Sequence, residues 1–164
     1  MSHQVAGALG RIGNPEAILR QATRWGTQRD AEVLLADAQL VFGRDHLESA
    51  VLHANRAKAL GAMSAHSLPV ETLRYLTGQR QVSDAIRIGG LHDGTTQLAV
   101  VIFGNASIDE LLAEFGWVRD DAVLDATGKS VSRLGVSARE ASTVPRNRKA
   151  ELALEKVALV DVTK

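Results

Sequence analysis

The apolar positions of this chain fall into short runs and helix-spaced series, separated by glycines, prolines and capping residues. Residues 3–9 read as a short first strand. Asn14-Pro15-Glu16 has the form of a cap, a first-turn proline and a first-turn acid, which predicts a helix to about Arg29. Glu32 to Ala36 is short and apolar, as a buried strand is. Asp45-His46-Leu47-Glu48 supplies a cap with an acid three residues on, and Leu47, Ala50, Val51, Ala54 and Ala57 follow with helical spacing until Gly61. Ser67 and Pro69 open a further helix through Leu73 and Leu76 to Gly78, and another is expected over about Arg80 to Ile88, stopped by Gly89-Gly90. The Asp93-Gly94 turn leads into a strand over Leu98 to Phe103. Ser107-Ile108-Asp109-Glu110 has the pattern of a capping box for a helix ending at Gly116. The stretch from Trp117 to Val144 gives no clear pattern. After it, Arg146 to Lys156 is predicted helical and Val157 to Val162 a closing strand.

Helices dominate, and the strands do not alternate regularly with long helices, so a doubly wound parallel sheet is not expected. The reading is a single α+β domain over residues 1–164, with a small, mainly antiparallel sheet of three or four strands covered by several helices. Its 164 residues, 45% hydrophobic, suffice for a core without disulfide or metal staples. Aromatic content of 4% leaves that core to Leu, Val, Ile and Ala. Cysteine is absent, which excludes a disulfide framework, a thiolate metal site and a cysteine nucleophile. With 19 basic and 19 acidic residues there is no global field to recruit nucleic acid, so any RNA contact must come from a local patch. No secretory leader pattern opens the chain, and the longest apolar run, Leu98 to Phe103, is far below a membrane span. A cytoplasmic protein is expected.

Four catalytic or ligand-binding lookalikes fail on spacing. Gly128-Lys129-Ser130 imitates the end of a phosphate-binding loop, but the glycine required five residues earlier is Val123. Gly7, Gly10 and Gly13 are spaced G-x-x-G-x-x-G, not as a dinucleotide fingerprint. His46 and His53 stand seven apart on one helix, where a zinc pair needs four and further ligands, so surface or packing roles are expected. No G-x-S-x-G elbow accompanies the serines. Neither catalytic residue, cofactor nor metal is expected.

The densest signal is Tyr75-Leu76-Thr77-Gly78-Gln79-Arg80-Gln81-Val82, continuing to Gly89. A helix ending at Gly78 and another starting almost at once make a tight corner, which exposes backbone N–H groups to an anion. Arg80, Asp84 and Arg87 share one stripe of the second helix, with Val82, Ala85 and Ile86 expected on its buried side. The alternative is a solvated stripe in which Arg80 pairs with Asp84.

At these residues the chain resembles the small subunit of the KEOPS complex, the Cgi-type or PRPK-binding family. Its G-[QE]-R-Q-[IV] core and A-I-[KR] helix are matched by Gly78 to Val82 and Ala85 to Arg87. Ala54-Asn55-Arg56-Ala57-Lys58 is similar to the preceding alanine-rich helix, and Glu155 to Val160 to the closing E-[KR]-[VI]-A-L strand. The resemblance runs from about residue 31, while residues 126–148 match no pattern of the family. It implies a non-catalytic subunit of the complex that makes threonylcarbamoyladenosine in tRNA. Such a subunit binds a small atypical kinase subunit that acts as an ATPase, connects through it to the threonylcarbamoyl-transferase subunit, and captures the single-stranded CCA end of tRNA. From the matched motif, Gln79, Arg80 and Arg87 are the expected RNA contacts, with Lys58 and Tyr75 as neighbours, Tyr75 by stacking. The kinase-docking surface cannot be named by residue; an exposed apolar helix face would mark it. A pure protein–protein adaptor without RNA contact is the alternative.

Overall fold

The structure, a computed structural model, describes residues 2–145 and 148–163. Asn14 caps the first helix as its sequence predicts, its side chain accepting the Ala17 N–H, and Pro15 takes the first turn. The elements run β1 (His3–Leu9), α1 (Pro15–Thr27), β2 (Glu32–Asp37), α2 (Arg44–Ala59), α3 (Leu68–Thr77), α4 (Val82–Gly89), β3 (Gln97–Phe103), α5 (Ile108–Phe115), β4 (Val118–Arg119), α6 (Ala138–Ala141) and α7 (Lys149–Thr163). Short 3-10 turns follow β2 at Ala38–Leu40 and fill the region after β4 at Asp121–Leu124 and Val131–Leu134. The sheet order is β2-β3-β1-β4, with every neighbouring pair antiparallel. This is the expected α+β architecture.

The central strand β3 explains the layering. Its residues from Leu98 to Phe103 are all buried, because both faces of the sheet are covered. Leu98, Val100 and Ile102 pack with Trp25 of α1 and Leu111 of α5. Ala99, Val101 and Phe103 pack on the other face with Val51, Leu73 and Val157 of α2, α3 and α7. A continuous apolar run is what a strand buried on both faces needs.

Several features differ from the sequence reading. Helix α2 starts at Arg44 with Gly43 in the cap position, so Asp45 lies inside the first turn. Gly43 has φ +105° and donates its N–H to the Leu124 carbonyl, a tertiary bond invisible to local pattern. Ser107 makes one half of its box, accepting the Glu110 N–H at 3.3 Å. The largest correction is the chain end: Val157 to Val162 is the second half of α7, not a strand. Ala153, Val157 and Val160 are buried at intervals of four and three, a helical series that the β-branched composition disguised. Helix α7 lies across α2 and α3, where a strand would have left its backbone unpaired. The expected start of this helix at Arg146 lies outside the described residues. Among the described residues no helix is long and apolar enough to cross a membrane.

Candidate nucleic-acid interface at the helix corner

Ser67 caps α3 by accepting the Val70 N–H, and Gly78 ends it in the left-handed conformation at φ +70°, as glycine readily does. The chain then turns through Gln79, Arg80 and Gln81 before α4 begins at Val82. That start is later than Arg80 because the Arg80 carbonyl is taken by the Arg74 side chain, whose Nε donates to it at 2.7 Å. Gln81 occupies the cap position with extended backbone and no side-chain cap bond, so the first amides of α4 have no side-chain acceptor there.

Of the expected contacts, Arg80 is exposed at the corner and Gln79 is half-buried beside it, its Nε2 donating to the Thr77 carbonyl at 3.4 Å. Arg87 is 70% exposed and pairs with Asp84 at 3.3 Å, so the partner of Asp84 is Arg87 and not Arg80, which the stripe had suggested. Lys58 does not join them. His46, near the start of α2, reaches the Leu76 carbonyl at the end of α3, so α2 begins beside the corner. Lys58 stands at the far end of α2, about 18 Å further along the helix axis at 1.5 Å per residue. Tyr75 is fully buried: its hydroxyl donates to Asp161 of α7 at 2.5 Å and its ring lies 5.3 Å from that of His53. It has no free face to stack on a base.

Ile86, expected inside, is 49% exposed. It borders a groove of about 420 Å³ between α1 and the α3–α4 pair, floored by β2, one of the two edge strands of the sheet. Leu19, Val33, Val70, Leu73, Ile86 and Leu91 give it an apolar lining. Arg87 follows Ile86 on the solvent side of α4, and Arg20 follows Leu19 on α1. The groove was not legible in sequence, since its walls come from four separate elements.

The lookalike motifs resolve into packing. The Lys129 ammonium donates to the carbonyls of Ala38, Val41 and Val123 at 2.6–2.7 Å, so it is not offered to a phosphate. His46 accepts the Phe42 N–H at Nδ1, which fixes the proton on Nε2, the atom facing the Leu76 carbonyl. His53 bonds the Ser49 carbonyl. Gly10 lies under Trp117, whose ring a Cβ at that position would meet at 2.3 Å, so the glycine serves close approach.

With corner and groove defined, comparison with known proteins gives the class: residues 11–146 match the family described as "Kinase binding protein CGI-121", and the chain belongs to that family. Among individual proteins it is similar to "EKC/KEOPS complex subunit cgi121" of Aspergillus fumigatus, at 33% identity over 94 residues. That alignment covers 57% of this chain and 49% of the relative, so the match spans about half of the relative's length.

Proposed function

We propose that this protein is a cytoplasmic, non-catalytic KEOPS subunit. It docks on the kinase/ATPase subunit and recruits tRNA for threonylcarbamoyladenosine synthesis through the single-stranded CCA end. The observation that carries the RNA half is the corner itself, where Arg80 and Gln79 stand beside the uncapped start of α4. A single-stranded end needs a few cations and a surface for unstacked bases, not a strongly basic protein. Arg80 and Arg87 would hold phosphates, Gln79 a sugar or base edge, and the apolar groove beside Arg87 a base. The kinase half draws on the family's name and on α2 with its C-cap, where Leu52 and Leu60 are 57% and 73% exposed and about two turns apart.

The test is binding to intact tRNA and to tRNA lacking its CCA end, with Arg80→Glu and Arg29→Glu compared. Loss of a charge-assisted contact costs roughly 1.5–3 kcal/mol, so Arg80→Glu should weaken binding by about tenfold or more while Arg29→Glu leaves it unchanged. Equal binding of both RNAs, with Arg80→Glu folded and as tight as the parent, would leave only the adaptor reading. Ile86→Glu should weaken binding similarly by placing a carboxylate in the groove.

A further inference from the structure

Helix α3 carries a fully buried ion pair. The side chains of Glu71 and Arg74 are 0% and 1% exposed and meet at 2.6 Å. Such a pair adds little net stability, since a well-packed apolar pair in its place is often as good or better. Its remaining hydrogen bonds reveal what it does instead. The Glu71 carboxylate accepts the N–H groups of Ser64 and Ala65, in the loop leading into α3. The Arg74 Nε donates to the Arg80 carbonyl at 2.7 Å, at the opposite end of the helix. Arg74 also holds the corner through its own backbone, because its carbonyl accepts the Gln79 N–H at 3.0 Å.

The geometry has a directional consequence. A trans peptide sets its C=O and N–H on opposite sides. Drawing the Arg80 carbonyl inward therefore turns the following N–H, that of Gln81, away from Arg74. The same bond fixes the main chain from which the Arg80 side chain emerges. The planar guanidinium holds Glu71 with one nitrogen and the carbonyl with another at a fixed angle; a lysine, with one nitrogen on a flexible stem, does not reproduce that arrangement.

We infer that Arg74 is a positioning residue for RNA capture: clamped by Glu71, it sets the conformation of the Gln79–Gln81 corner and so aims Gln79 and Arg80. This rests on the reading of that corner as the RNA contact. Arg74→Lys keeps a cation beside Glu71 while giving up the grip on Arg80. Amide hydrogen exchange of residues 79–82 should accelerate by about tenfold in this variant, and affinity for tRNA with an intact CCA end should fall by a similar factor. Val51→Ala, a core truncation on α2, supplies the control for general destabilisation and should leave both readouts unchanged. Glu71→Gln, which loosens the clamp without removing it, should give an intermediate loss and serves as the test if Arg74→Lys does not fold. If Arg80→Glu loses affinity while folded Arg74→Lys keeps it, with exchange at the corner unchanged, the positioning role is wrong and the RNA reading stands. If Arg80→Glu itself binds as the parent does, the RNA reading fails first and the inference falls with it.

Discussion

Lys129 sits where the sequence imitates a phosphate-binding loop, and three backbone carbonyls claim its ammonium instead. Burial pushes its pKa down to about 8, opposed by the nearby charges of Asp125 and Asp37, so at neutral pH it keeps the three N–H donors that three acceptors require. Lys129→Met should cost about 2 kcal/mol or more in urea unfolding: the Ala38 carbonyl keeps the Val41 N–H, but those of Val41 and Val123 lose their donor, at roughly 1–3 kcal/mol for each orphaned buried carbonyl. A neutral result would mean that water replaces the ammonium. His46 contributes to the acid side of the stability profile. Burial pushes its pKa down to about 4; the Leu76 carbonyl works against this, and the Lys129 charge adds to it. In the unfolded chain the group titrates near 6.5, so between those values the unfolded state binds the extra proton. Its contribution is therefore full above pH 6.5 and falls as pH drops toward 4. Stability should decline by about 2 kcal/mol between pH 7 and pH 5, at 1.36 kcal/mol per unit, and His46→Gln should flatten that slope. The same slope in the variant would assign the loss to other groups. Tyr75→Phe should cost about 1 kcal/mol by removing the bond to Asp161 and should leave tRNA affinity unchanged, as suits a core residue.

Among the elements, α7 and the α3–α4 corner offer the sharpest tests. Glu155→Pro, in the middle of α7 and exposed, should cost about 3 kcal/mol or more by breaking the helix. A cost well below 1 kcal/mol would favour the strand that the sequence suggested for the residues that follow. Gly78→Ala places a Cβ on a left-handed residue and brings it to 3.0 Å from the Lys156 Cβ, so roughly 1–2 kcal/mol of destabilisation is expected from the backbone alone. Helix ends were largely legible because capping is local: Asn14, Ser67 and Ser107 each accept an amide three residues on. The starts of α2 and α4 were misread because distant groups moved them, the Leu124 carbonyl in one case and the Arg74 side chain in the other.

For the whole molecule, the balanced charge predicts RNA binding with a shallow salt dependence, because few phosphates would be neutralised. A log–log slope of about −1.4 is expected for the two cations Arg80 and Arg87, at roughly 0.7 per phosphate on a single strand. A slope several times steeper would require a second basic surface. The chain should also co-elute with the kinase subunit at micromolar concentration, and Leu52→Glu with Leu60→Glu should separate them while both remain folded. Along the chain alone, the α+β class, the cap-bounded helices, the strand from Leu98 to Phe103 and the dense motif at Gly78 to Val82 were legible, because each rests on local chemistry or short periods. The sheet order, the helical fate of Val157 to Val162, the burial of Tyr75, the distance of Lys58 from the corner and the groove beside Ile86 emerge from packing. These depend on which faces of separate elements meet, and a residue's neighbours along the chain do not carry that information.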